Sequence, residues 1–178
     1  GFDPSLLQRL WDSMDYPLDV HAIFNGHECN LGVAGSWNRA PIRFPNDKWW
    51  LIANDDIWFK PGQLKTICEM AEREHQNCHF ILADTGFECF VWTRRGVEEL
   101  GTFDENLWPA YYEDTDMRIR IALGGGIVKT AGCLVNHGKP KTGGDNYRGL
   151  VNGCGLFNRE YLLRKWGSLD VAQWPAPF

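Results

Sequence analysis

Two clusters of carboxylates are the residues of this chain best suited to chemistry. The first is Asn54-Asp55-Asp56, directly after the apolar run Trp49-Trp50-Leu51-Ile52-Ala53 and ahead of Ile57-Trp58-Phe59. An apolar run of that length reads as a buried strand, so the carboxylates stand where a strand leaves the core. Adjacent carboxylates at the rim of an apolar core repel and raise each other's pKa unless a cation or fixed donors neutralise them. Mg2+ or Mn2+ is the expected cation, because either takes oxygen ligands and keeps positions open for phosphate oxygens. The second cluster, Glu113-Asp114-Thr115-Asp116, follows Phe103-Asp104-Glu105 and the aromatic run Trp108-Pro109-Ala110-Tyr111-Tyr112. Its place at a helix start lets the macrodipole hold the carboxylates as anions, which makes one of them a ready proton acceptor. One cluster suits a metal and the other a base.

Plainer readings stand beside these. Asp55 and Asp56 suit a solvated Asx turn, and Glu113, Asp114 and Asp116 suit any helix start. Trp108, Tyr111 and Tyr112 are either core aromatics or faces on which a sugar ring stacks. His137 has the features of a hydrogen-bonded loop histidine as well as of a ligand.

The elements that must position these groups alternate along the chain. Asp3 can cap and Pro4 can open a helix whose apolar stripe is Leu6, Leu7, Leu10, Trp11 and Met14. Val20 to Phe24 reads as a strand running into the turn Asn25-Gly26, and Asn30 to Ala40 as a glycine-rich loop leading into a short helix. Pro61-Gly62 starts a helix through about Gln76, with Leu64, Ile67, Cys68 and Ala71 inward. Phe80–Ala83 and Phe87–Thr93 read as strands. Glu113 to Leu123 reads as a helix stopped by Gly124-Gly125-Gly126. Ile127 to Val135 returns as one strand or two short ones, and Asn158 to Trp166 is a last amphipathic helix. Such alternation implies an α/β sandwich with a mostly parallel sheet, where ligands bind at the carboxyl ends of strands.

Composition narrows the class. The chain has 178 residues, 44% hydrophobic and 13% aromatic with nine Trp, which is enough for one globular domain with a sizeable core. A net charge of -5 and the lack of a Lys/Arg run argue against a nucleic-acid partner. The six cysteines show no CxxC pair and no zinc spacing, so reduced core thiols in a cytoplasmic setting are expected. No stretch is long enough for a membrane span. His21, His27, His75 and His79 read as structural or surface residues.

Taken in order, Asn30-Leu31-Gly32-Val33-Ala34-Gly35-Ser36-Trp37-Asn38, Trp50 to Asp56, Phe103-Asp104-Glu105 and Tyr111-Tyr112-Glu113-Asp114-Thr115-Asp116 resemble the successive motifs of the family 2 inverting glycosyltransferases of GT-A fold. The resemblance covers most of the chain. It implies a GT-A type three-layer sandwich with a mostly parallel, Rossmann-like central sheet, and residues 1–178 as a single glycosyltransferase domain. The family's opening strand, which contacts the nucleotide base, has no counterpart ahead of Gly1-Phe2-Asp3, and the excursion between Gly26 and Asn30 is short. The implied activity is metal-dependent inverting transfer of a sugar from a nucleotide diphosphate donor, a UDP-sugar on family frequency, to a hydroxyl of a glycan acceptor.

On that resemblance Asp56 is the ligand of Mn2+ or Mg2+, with His137 completing the metal site. Asn54 and Asp55 lie near ribose or metal-bound water, and Asn25, Asn30, Gly32 and Asn38 belong to the donor side. Asp114 is the general base with Glu113 beside it. Trp108, Tyr111, Tyr112 and Asp116 lie on the acceptor side, with Asp116 orienting the helix start. Lys139, Lys141 and Arg148, in a glycine-rich loop, read either as cations that close over the pyrophosphate or as part of a mobile surface loop. Asn158 to Gly167 resembles the acceptor-side helix of members that build bacterial and large-virus surface glycans, rhamnosyltransferases among them. Two other classes use parts of the same residues. A phospho- or nucleotidyltransferase would employ the acidic pair on phosphate, although no Walker sequence is present, and a carbohydrate-binding module would account for the aromatics alone.

Overall fold

Three apolar runs and one short mixed strand pair side by side and set the frame of the molecule. The computed structural model describes residues 4–25, 29–137 and 145–169. Strands β1 (Trp49–Ala53), β3 (Phe80–Leu82), β4 (Cys89–Thr93) and β5 (Val128–Thr130) form one sheet in the order β1-β4-β3-β5. A separate ribbon pairs β2 (Ile57–Trp58) with β6 (Asn136–His137). The helices are α1 (Pro4–Asp12), α2 (Gly32–Arg43), α3 (Gln63–Glu74), α4 (Arg94–Leu100), α5 (Glu113–Gly124) and α6 (Asp145–Trp166).

Side chains alternate across the sheet and fill a core on each face. Ile81, Ala83, Cys89 and Val91 point to one side, where α3 supplies Leu64, Ile67, Cys68 and Ala71. Phe80, Leu82, Phe90 and Trp92 point to the other, against Ala34 and Trp37 of α2 and Met117 and Ile121 of α5. That second core is a packed aromatic cluster. Trp37 meets Phe103 edge-on at 4.9 Å between ring centroids, and Trp92 meets Phe103 at 5.0 Å. The inward residues expected for α3 are all buried, as the helical spacing requires.

The α/β class stands, but the sheet is mixed rather than mostly parallel. β4 runs antiparallel to both β1 and β3, and only β3 and β5 are parallel. The reason is connection length. The short link from Leu82 to Cys89 permits a hairpin return, whereas a parallel pair needs a long crossover, and β3 and β5 are separated by β4, α4 and α5.

Local differences have local causes. Residues 20–24 form no strand; Ile23 and Phe24 are 41% and 63% exposed, so the apolar run has no core to enter. The glycine-rich stretch from Gly32 lies within α2 rather than ahead of it. α4 was not foreseen. Thr93 caps it by accepting the Gly96 N–H at 3.0 Å, and Gly96 lies so close to the His79 carbonyl that a Cβ would sit 2.5 Å from it. α6 begins at Asp145, well ahead of Asn158.

His79 has the structural role expected of it. It is buried, accepts the Ile127 N–H on Nδ1 at 2.8 Å and meets Glu99 through Nε2 at 2.7 Å, tying β3, α4 and the approach to β5 together. Cys68, Cys78, Cys89 and Cys133 are buried and unpaired. Burial pushes the Cys68 thiol up to about 12 and the Cys78 thiol up to about 11, so neither is a nucleophile. Among the described residues no helix is long and apolar enough to cross a membrane.

Candidate active site at the sheet edge

Asn54, Asp55 and Asp56 leave β1 at the edge where β3 and β5 also end and β4 begins. The register Ala53↔Cys89, Leu82↔Phe90 and Leu82↔Thr130 fixes this. The Asn54 N–H donates to the Glu88 carbonyl at 2.9 Å, so the acidic turn is bonded to the β3–β4 loop. Asp55 is exposed and Asp56 half-buried. The β2–β6 ribbon sets the His137 backbone opposite Ile57, the residue after Asp56.

The second acidic cluster reaches the same edge through α5. The C-terminal end of α5 leads through Gly126 to Ile127, whose carbonyl accepts the His79 N–H at the start of β3. α5 therefore runs back along the sheet, and its first turn lies toward the edge where β3 ends. Arg118 confirms the placement: its Nη2 donates to the Thr85 carbonyl at 2.6 Å, and its guanidinium lies 5.2 Å from the centre of the Phe87 ring. One loop, residues 84–88, thus bonds both to Asn54 and, through Arg118, to α5.

The entry to α5 is built from unfavourable backbone. Tyr111 and Tyr112 both take left-handed conformations, φ 78° and 75°, at a cost on the order of 1 kcal/mol or more each. Buried Asn158 of α6 holds them by donating Nδ2 to the carbonyls of Ala110 at 2.9 Å and Tyr111 at 3.2 Å. Trp108 Nε1 donates to the Asn30 carbonyl at 3.0 Å, and Val33 N–H to the Pro109 carbonyl at 2.8 Å. The outcome is a pocket of about 380 Å³ lined by Tyr111, Tyr112, Thr115, Gly155 and Leu156. Of the aromatics assigned to an acceptor, Tyr111 and Tyr112 line this pocket and Trp108 does not, although its ring is 41% exposed. Gly155 and Asn158 were missed; a glycine inside an otherwise regular helix was the available signal.

The three carboxylates of this turn separate by environment. Asp114 is half-buried, with Oδ1 accepting the Thr115 N–H at 2.8 Å; among the described residues Oδ2 takes no hydrogen bond. Glu113 is 8% exposed, and its Oε2 has no hydrogen-bond partner among the described residues. Burial pushes Glu113 up to about 7, the backbone amides of Glu113 and Tyr111 oppose this, and the charge of Asp114 adds to it. Because the folded pKa exceeds the unfolded value of about 4.5, the neutral acid suits the fold and the anion does not. Stability is then fully present below about pH 4.5 and is lost as the pH rises toward 7, by roughly 3 kcal/mol at the order-of-magnitude level. Glu113→Gln is expected to remove that loss. Its urea midpoint should exceed the parent's at about pH 8 and approach it at about pH 4.5; parallel curves across that range would exclude the buried acid.

Asp116, expected on the acceptor side, lies within the fold. It is 0% exposed, with Oδ2 accepting from Arg120 Nε at 2.9 Å and Oδ1 from Trp166 Nε1 at 2.8 Å and Lys165 Nζ at 2.8 Å. Arg120 Nη2 is also 2.9 Å from Oδ2 but outside hydrogen-bonding angles, so it contributes charge rather than a bond. Lys165 bridges onward to Asp104 at 2.7 Å, which also accepts from Tyr161. Burial alone would raise the Asp104 carboxyl; the bonds from Lys165, Tyr161 and Asn106 outweigh it and hold the group near 2. This network locks α6 onto α5.

Asn38, expected on the donor side, is bonded within the fold. It is 2% exposed, its Nδ2 donates to the Phe103 carbonyl and Glu105 Oε1 at 2.9 Å each, and its Oδ1 accepts the Phe103 N–H at 2.9 Å. Asn25 accepts the Leu31 N–H at 3.1 Å and donates to Ser36 at 2.8 Å, while Asn30 Oδ1 accepts the Gly32 N–H at 2.9 Å. Gly32, at φ 69°, has no room for a side chain beside Trp108 and Pro109. These residues build the start of α2 and dock it on the 103–109 segment. Asp3, the His137 side chain, Lys139, Lys141 and the Arg148 side chain lie outside the described residues.

Comparison with protein-family models, curated proteins and solved structures finds no match. The site's own geometry and donor chemistry therefore carry the functional argument. Among the described residues no group of three or more His, Cys, Asp and Glu is placed to hold a metal.

Proposed function

We propose that this chain is a metal-dependent inverting glycosyltransferase domain of GT-A type that moves a sugar from a nucleotide diphosphate donor, a UDP-sugar, to a hydroxyl of a glycan acceptor. The observation that supports it most is that the 84–88 loop bonds both to Asn54, at the head of the acidic turn after β1, and to Arg118 of α5, the helix whose first turn carries Glu113 and Asp114. A site that must hold an anionic leaving group and deprotonate a hydroxyl needs both functions within one ligand's reach. Asp56 and His137 would hold Mn2+ or Mg2+, which when bound supplies positive charge against the diphosphate. Asp114 takes the acceptor proton through Oδ2 while Thr115 fixes Oδ1, and the half-buried position keeps the carboxylate poised but reachable. Glu113, next to it and buried, favours neutrality near pH 7, so it lowers the negative charge at the point where the donor's phosphates approach. The buried free thiols fit a reducing, cytoplasmic setting.

A thermal-shift panel of UDP-glucose, UDP-galactose, UDP-N-acetylglucosamine and dTDP-rhamnose, with and without Mn2+, tests this reading. At least one nucleotide sugar is expected to raise the midpoint only when Mn2+ is present, by mass action on the folded state. Responses to ATP or CTP alone would favour a phospho- or nucleotidyltransferase. Sugar binding without any nucleotide response would favour a carbohydrate-binding module.

A further inference from the structure

We propose that the outer edge of β1 pairs with the same edge of a second copy of this chain, antiparallel and centred on Leu51, so that two four-stranded sheets join into one. The inference is independent of the reaction proposed above. It starts from where the backbone of β1 points. The Lys48 carbonyl accepts the Arg94 N–H at 2.9 Å and the Asn54 N–H donates to the Glu88 carbonyl at 2.9 Å, so in this antiparallel ladder residues 48, 50, 52 and 54 face β4. The N–H and C=O groups of Trp49, Leu51 and Ala53 therefore face away from the sheet. Among the described residues none of these groups takes a hydrogen-bond partner. Residues 20–24 do not close this edge, since they form no strand.

The edge is also unprotected. The opposite edge of the sheet, β5, is three residues long and carries Lys129, and short charged strands resist further pairing. β1 has five residues with no charge and no proline, and all but Trp50 are half-buried. An apolar edge of that kind is a template for another strand. Its own pattern says which strand. Residues 49, 51 and 53 are symmetric about Leu51, so a two-fold axis there sets Trp49 opposite the partner's Ala53 and Leu51 opposite the partner's Leu51. Each facing pair exchanges both of its hydrogen bonds, and every outward group of β1 is used. A register shifted by two residues leaves one of these pairs out. The side chains agree on both faces. On one, bulky Trp49 meets small Ala53 and Leu51 meets itself; on the other, Trp50 meets Ile52 twice, an aromatic against a β-branched side chain. Those two faces carry the two cores, so the pairing continues both.

Sedimentation velocity of the full chain over a wide concentration range reads the association, and a reversible dimer is expected. Ala53→Pro removes an outward N–H that has no partner within the protomer, at the extended end of an edge strand where proline is tolerated. Its melting temperature should hold while the dissociation constant rises roughly ten-fold, because the two-fold axis makes the lost bond count twice. Cross-linking under mild oxidation reads the register, with the parent's own thiols as background. Leu51→Cys should give a disulfide-linked dimer, because a hydrogen-bonded antiparallel pair sets the two Cα atoms about 5.5 Å apart. Ile52→Cys should not, because it faces Trp50. Should Ala53→Pro melt early, the two cysteine variants decide alone. A parent that is monomeric at every concentration, whether or not an added apolar peptide strand binds it, overturns the second copy as the occupant. So does a dimer unmoved by a well-folded Ala53→Pro, or one cross-linked equally through Ile52→Cys.

Discussion

Replacing Asp114 with Asn is expected to lower turnover by on the order of 10² to 10⁴ while the nucleotide sugar still binds, because the change removes a proton acceptor and little else. The substitution is isosteric. An asparagine Oδ1 can accept the same Thr115 N–H, so the first turn of α5 keeps its local bond. Asp114 is only half-buried and outside the Asp104–Lys165–Asp116 network, so the fold should lose little. A second consequence separates this variant from general damage. Burial is the main cause that raises Glu113 and the Asp114 charge adds to it, so removing that charge should lower the Glu113 titration in part while burial keeps it raised. Carbon-detected NMR of the Glu113 carboxyl can follow that change alongside UDP release. Turnover equal to the parent's, with the nucleotide sugar bound in both, would remove Asp114 from the reaction.

What could be read from the residues was whatever depends on near neighbours. The helical spacing of Leu64, Ile67, Cys68 and Ala71, the glycine stop after Leu123 and the apolar runs of β1, β3 and β4 all encode local geometry, and all appear in the fold. The acidic exit from β1 was legible for the same reason. Strand direction was not, because it depends on which run comes to lie beside which. Residues 20–24 show the converse: the apolar run is strand-like, yet no partner strand pairs with it among the described residues.

The polar residues divide along the same line. Asn38 finds its partners at Phe103 and Glu105, and Asp116 finds Trp166 fifty residues away, so neither role could be seen in its own motif. Asp114 differs because its partner is the next residue and its remaining oxygen is open. Motif order thus pointed to the turn proposed to carry the chemistry, and only burial and long-range bonds sorted its three carboxylates into a candidate base, a buried neutral-leaning acid and a structural anion.

That sorting gives Asp116 the largest expected effect on stability. Asp116→Asn keeps the shape and can still accept from Trp166, but it removes the negative charge that faces Arg120 and Lys165. The Arg120 side chain is largely buried and donates to the carbonyls of Leu100 and Thr102, so it cannot swing out to water without breaking those bonds. Breaking one side of a buried ion pair costs about 3 to 5 kcal/mol, because the remaining cation keeps its desolvation penalty without its compensation. The urea midpoint should fall accordingly with little change in slope, since the surface exposed on unfolding is the same. Lys165 retains Asp104, which moderates the loss, and Lys165→Met combined with Asp116→Asn should cost less than the two single changes added together. The contrast with Asp114→Asn is then complete: one carboxylate two residues from the other is expected to govern folding, and its neighbour turnover. An Asp116→Asn protein as stable as the parent but unable to use its acceptor would reverse that division and return Asp116 to the acceptor side.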